Sequence, residues 1–139
     1  MDVKYTAYAT SSGGGRDGAV RSDDGIIALE LKYPPELGGP GGGTNPEQLF
    51  AAAYAACLHG AMRLVAGQEK IKMPDGATVE AAVGIGPDET SFAITATLTA
   101  TLPGLDQAQA DDLLAKAHQV CPYSKATRGN IEVNLVAKV

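Results

Sequence analysis

The chain has no tryptophan and only two phenylalanines, with aromatic residues at 5% of its 139 positions. Alanine dominates the apolar residues, so burial must come from small side chains and closely approaching helices rather than from large aromatic plugs. Lysine and arginine form no runs, and acidic residues outnumber basic ones 16 to 11. The electrostatic footprint of a nucleic-acid binder is therefore missing, and no nucleic-acid partner is expected. Met1 to Tyr5 lacks the basic and apolar regions of a secretory leader. The longest apolar stretch, Leu49 to Ala61, is interrupted by His59 and falls short of the roughly 20 residues that a bilayer span needs. A cytoplasmic location without membrane insertion is the expectation.

Cysteine and histidine are also scarce, with two of each. They are scattered without the short spacing of a zinc site, so no metal is expected. A permanent disulfide staple does not suit a reducing compartment. That leaves two readings for Cys57 and Cys121: a redox pair, or two inert core thiols.

The length fits a single domain spanning residues 1–139. Val3, Tyr5 and Ala7 alternate and predict a first strand. Ser11 to Gly18 reads as a flexible glycine-rich turn, Ala19 to Ser22 as a second strand, Asp24-Gly25 as a hairpin signal, and Ile27, Leu29 and Leu31 as a third strand. Tyr33 to Gly43, rich in proline and glycine, must be loop. Thr44-Asn45-Pro46-Glu47-Gln48 is a helix start, with Asn45 placed to cap, Pro46 at the first helical position, and Thr44 and Glu47 at capping-box spacing. From there to about Val65 the chain is apolar or small almost all round, which predicts a centrally buried helix ending near a Gly67 cap. Val79 to Ile85 and Phe92 to Leu102 alternate as two antiparallel strands. Asp106 can cap a second helix that Pro122 interrupts just after Cys121. A short helical turn follows, and Ile131, Val133 and Leu135 form a last strand. The order of elements is α+β.

Cys57 lies mid-helix in apolar company, where burial raises a thiol's pKa and leaves it unreactive unless a cation is brought to it. Arg16, after three glycines, is the best-placed candidate, since arginine stays charged and offers a planar fork of donors. A solvated loop arginine is the plainer alternative. Glu47 can orient Arg16 through a bidentate pair, or serve only as a first-turn acid. The helix rise puts Glu47 about 15 Å from Cys57 along the same helix, so the two can share a site only through the reach of an arginine or across a two-fold interface. The second option and the apolar helix together predict a homodimer. Cys121 sits where the chain changes direction, and a local hinge can bring it to Cys57. His59 reads as a packing residue and His118 as a partly exposed helical one.

Gly14-Gly15-Arg16-Asp17-Gly18, Thr44 through Ala52, Tyr54-Ala55-Ala56-Cys57, Val120-Cys121-Pro122-Tyr123-Ser124 and Ala126 through Ile131 resemble the organic hydroperoxide resistance (Ohr) proteins of the Ohr/OsmC family. The match runs in order over nearly the whole chain, and Lys125 is a departure that touches no assigned role. The resemblance implies an α+β fold: an intertwined homodimer with antiparallel sheets wrapped around central helices. It implies a lipoyl-dependent cysteine peroxidase in which Cys57 attacks an organic hydroperoxide, Cys121 resolves the product as a disulfide, and Arg16 and Glu47 activate the thiolate. It further implies no bound cofactor, with dihydrolipoamide or a lipoylated protein as electron donor. The rival functions are an OsmC-type redox sensor or stress protein, and an apolar small-molecule binding module.

Overall fold

The glycine-rich stretch near the N-terminus is a hairpin. In the computed structural model, which describes residues 1–139, β1 (Ala9–Gly14) pairs antiparallel with β2 (Asp17–Ser22), with Gly13 opposite Gly18 and Gly14 opposite Asp17. Only Gly15 and Arg16 remain as the loop, and Gly15 takes the left-handed φ of +68° that a type II′ turn asks of its first residue. A Cβ at Gly18 would lie 2.1 Å from Ser12 O, so the close pairing admits only glycine there. The expected flexible turn is corrected: the glycines permit a tight ladder that holds Arg16 at its tip. The expected strand at Val3–Ala7 is corrected as well. Residues 1–8 are exposed and pair with no strand, and alternation without a partner edge does not make one.

The chain divides into two compact units, Met1–Leu49 and Phe50–Val139. In the first, β3 (Ala28–Glu30) adds antiparallel to β2, and Leu31 bridges in parallel to Thr44. The loop after it contains one 3-10 turn, Pro35–Leu37. Every residue of β1 and β3 is exposed, and Leu31 is the buried hydrophobic residue of this unit.

α1 (Pro46–Gln68) is capped by Asn45, whose Oδ1 accepts from Gln48 N at 2.8 Å. The expected capping box does not form, because the Glu47 carboxylate is directed to Arg16 and the Thr44 hydroxyl to Gln48. The helix ends without glycine. Lys70, at φ +57°, supplies the left-handed residue, while Ile71 N donates to Ala66 O and Lys70 N to Gly67 O. These two bonds make a Schellman motif around a lysine. At 23 residues α1 is long and apolar enough, by length and composition, to cross a membrane, a test that a core-packed helix also passes, and its Tyr54, Leu58, Met62 and Val65 are buried in the core.

In the second unit, β4 (Thr78–Pro87) and β5 (Phe92–Thr101) are antiparallel, as alternation predicts. β6 (Val133–Lys138) pairs with β5 in parallel, so the sheet is mixed rather than antiparallel throughout. The reason is the connection: α2 (Gln107–Val120) and α3 (Pro122–Thr127) intervene, and such a crossover returns the chain in the same direction. Asp106 caps α2, accepting from Gln109 N at 2.8 Å. Tyr54, Leu58, Met62 and Val65 of α1 share one core with Leu98 and Ala100 of β5 and with Leu113, Leu114 and Ala117 of α2. The opposite face of α1 is exposed, with Leu64 at 56%, so the helix is buried along one stripe and not all round.

Candidate functional site

The two thiols meet inside the second unit. Cys57 projects from the middle of α1, and Cys121 stands at the corner where α2 ends and α3 begins. Their sulfurs are 3.4 Å apart, both are free, and Cys121 is fully buried while Cys57 is half-buried. The corner follows from local chemistry. Cys121 is extended (φ −65°, ψ 123°) as proline demands of the residue before it, and Pro122 then opens α3. The hinge expected at Cys121 is not needed to bring the sulfurs together.

Burial pushes the Cys57 thiol above its ordinary value. The backbone N–H of Tyr123, in the first turn of α3, pulls in the other direction, and neighbouring Cys121 adds to the upward push. Burial outweighs the single amide, so within this unit Cys57 is a thiol rather than a thiolate. Phe50, Tyr54 and Tyr123 form an aromatic group with ring centroids 5.8 to 6.1 Å apart, and Phe50, like Cys57, packs against the core. Leu58 lies wholly inside the core and offers no accessible wall.

Arg16 and Glu47 meet inside the first unit. Nη1 donates to Oε2 at 2.9 Å and Nη2 to Oε1 at 2.6 Å, a two-pronged pair with Glu47 more buried than Arg16. Arg16 holds the Glu47 carboxyl below the usual carboxylate range, and the carboxylate in turn raises the guanidinium. Next to Arg16, at the tip of the hairpin, Asp17 Oδ1 accepts from Lys32 Nζ at 2.7 Å.

A buried polar cluster was not legible from spacing. Tyr54 Oη lies 3.0 Å from Ser124 Oγ and 2.9 Å from Thr127 Oγ1, and His118 Nδ1 lies 2.8 Å from Ser124 Oγ. The Thr127 hydroxyl donates to Ser124 O, and no buried side-chain nitrogen or oxygen lacks a partner. Burial, and secondarily the charge of Arg128, lowers the His118 pKa, so the ring is neutral near pH 7. His118 is thus not merely a half-exposed helical residue. No group of three or more His, Cys, Asp or Glu side chains is gathered where it could hold a metal ion.

A family model described as OsmC-like protein matches residues 39–136. An organic hydroperoxide resistance protein of Xanthomonas axonopodis pv. citri is 54% identical over 134 residues, 96% of this chain and 94% of that one. Among solved structures, an organic hydroperoxide resistance protein from Legionella pneumophila superposes with a TM-score of 0.93 at 47% identity, covering 99% of this chain and 100% of the other. The organic hydroperoxide resistance protein of Bacillus subtilis gives a TM-score of 0.89 at 42% identity, with 98% and 100% coverage.

Proposed function

This chain belongs to the OsmC-like family, in its organic hydroperoxide resistance branch, and on that premise we propose that it is a cysteine peroxidase that reduces organic hydroperoxides to alcohols. The observation that carries the reading is the pair of free thiols at 3.4 Å, one half-buried and one fully buried. Inert core thiols need no such approach, whereas a two-cysteine peroxidase needs both within reach of one bond.

The Cys57 thiolate attacks the terminal peroxide oxygen. The O–O bond breaks, the alkoxide takes a proton and leaves as alcohol, and Cys57 becomes a sulfenic acid. The Cys121 thiol then attacks that sulfur. The sulfenic hydroxyl leaves with the thiol proton as water, and a Cys57–Cys121 disulfide forms. A dithiol returns both cysteines to thiols by exchange and is itself oxidised to a disulfide. We assign that task to a dihydrolipoyl group, free or on a lipoylated protein. A thiol pair that must be returned to the reduced form suits the cytoplasm.

Because burial holds Cys57 as a thiol, attack requires a cation. We assign that role to Arg16, held in orientation by Glu47. Two supports are the closely paired hairpin that carries Arg16 at its tip and the two-pronged pair. A protonation state that depends on a delivered charge also gives a gate: when Cys57 loses its negative charge on oxidation, Arg16 loses a reason to stay. Phe50 and Tyr123 favour an alkyl tail over hydrogen peroxide, at about 0.8 kcal/mol for each buried CH₂.

We further propose a homodimer. β1 and β3 bury none of their residues within the chain, and Ile26, Ile27, Leu29 and Leu64 are exposed. A small sheet with no buried face is not stable alone, and a second copy supplies the cover. Sedimentation equilibrium at micromolar protein should give a particle of two chains. The test of function is turnover of cumene hydroperoxide with dihydrolipoamide. Many turnovers support the peroxidase, while one oxidation per chain with no recycling would mark a redox sensor instead.

A further inference from the structure

Ser124 Oγ is a single atom at which three helices meet. It faces Tyr54 Oη of α1 at 3.0 Å and His118 Nδ1 of α2 at 2.8 Å, while its own residue sits in α3. α1 carries Cys57, α2 is the helix that delivers Cys121, and α3 is the helix that departs from it. Tyr54 also reaches Thr127 in the last turn of α3, at 2.9 Å. Tyr54 and Ser124 are completely buried and Thr127 nearly so.

With the Thr127 hydroxyl donating to Ser124 O, one order satisfies every group. Tyr54 donates to Thr127, Ser124 donates to Tyr54, and His118 presents Nδ1–H to Ser124. Each hydroxyl then donates once and accepts once. A second tie closes the corner from outside, where Arg128 Nη1 donates to His118 O at 3.0 Å.

Apolar residues would fill this space at less desolvation cost, since buried hydroxyls are favourable only when fully bonded. What hydrogen bonds add over apolar contact is a fixed distance and direction. The six-residue α3 needs both, because a helix so short does not hold its own position. Closing the sulfur pair from 3.4 Å to a bond of about 2.05 Å takes side-chain rotation alone if the α2–α3 corner is held against α1. If that corner drifts by an ångström or two, the backbone must move as well.

We propose that Tyr54, Ser124 and Thr127, closed by His118, form a clamp that holds Cys121 in register with Cys57 for disulfide formation. These are positioning residues for the resolving step, in which Cys57–SOH and Cys121–SH become a disulfide and water. The inference rests on the peroxidase reading for its role in turnover, but the clamp itself governs any oxidation of the pair.

The experiment compares the parent with Tyr54→Phe, Ser124→Ala, Thr127→Ser and Leu102→Val, the last a core truncation outside the cluster. Reduced protein is mixed with one equivalent of cumene hydroperoxide without reductant. Sulfenic acid is trapped at intervals with dimedone and counted by mass spectrometry. Separately, each protein is equilibrated in glutathione redox buffers to give the dithiol–disulfide constant without any peroxide. Tyr54→Phe and Ser124→Ala should consume peroxide at close to the parental rate, yet keep sulfenic acid at least about tenfold longer. Their disulfide should be about tenfold less favoured, or about 30 mV less negative. Thr127→Ser, which keeps the hydroxyl, and Leu102→Val should match the parent in both readouts even if Tm falls. Parental sulfenic acid lifetime and potential in Tyr54→Phe and Ser124→Ala would overturn the clamp, as would an equal shift in Leu102→Val or Thr127→Ser. If the parent does not consume peroxide, the peroxidase reading fails, and the glutathione measurement still decides the clamp.

Discussion

Cys57 Sγ and Cys121 Sγ lie 3.4 Å apart, the Cys121 thiol donating to Cys57 with no disulfide between them, although 64 residues separate them in the chain. One sits on a half-buried helix face and the other is sealed in the core. On the proposed mechanism this asymmetry suits the two roles: the accessible sulfur would meet peroxide, and the sealed one only its neighbour.

Cys121→Ser should therefore separate the two steps. Peroxide attack should proceed once at close to the parental rate, and mass spectrometry should find Cys57 as sulfenic acid, moving to sulfinic acid under excess peroxide. Steady turnover with dihydrolipoamide should fall by tenfold or more.

Arg16→Ala should raise the pKa of Cys57. Burial already favours the thiol, and a nearby cation is worth about one to three pH units in favour of the charged form. In a Cys121→Ser background, the pH profile of iodoacetamide alkylation should move upward on Arg16→Ala, and peroxide attack at pH 7 should slow about tenfold or more. Glu47→Gln should shift the profile in the same direction by less. An unchanged profile in both would remove Arg16 from the site.

The Arg16–Glu47 pair also has a signature in stability. Glu47's folded pKa is depressed below its ordinary 4.5. Its contribution is thus fully present above pH 4.5 and is lost as pH falls through the lower folded value. Urea unfolding of the parent should weaken over that acid window. Glu47→Gln should be less stable than the parent at pH 7 and show a shallower acid dependence.

Lys70→Gly should stabilise the protein. Lys70 holds φ +57° at the end of α1, a conformation costing a side-chain-bearing residue about 1–2 kcal/mol. Glycine's extra chain entropy takes back about 0.5–1 kcal/mol. A net gain of about 0.5–1 kcal/mol should appear in the urea midpoint, with the m-value unchanged.

The helices, their N-cap residues and the two cysteines were legible because each depends on nearby residues. Asn45, Pro46, Asp106 and Pro122 all do what their local chemistry dictates. Three features were not. Gly13, Gly14, Gly15 and Gly18 look like chain breakers, yet Gly13 opposite Gly18 lets the strands pair closely as a hairpin. Alternation locates β6 without saying which way it runs, because direction is set by the crossover through α2 and α3. Tyr54 meets Ser124 and Thr127 across separations of 70 and 73 residues, and no local pattern marks a long-range hydroxyl contact. The Arg16–Glu47 pair, 31 residues apart, has no local signature either; a buried thiol's need for a cation and the family resemblance both point to it.

The most direct test of the central claim is steady-state reduction of cumene hydroperoxide by dihydrolipoamide, run on the parent and on Cys57→Ser. The account predicts many turnovers per chain for the parent and none above background for Cys57→Ser. Parental turnover in Cys57→Ser, or no turnover by the parent with its thiols reduced, would contradict it.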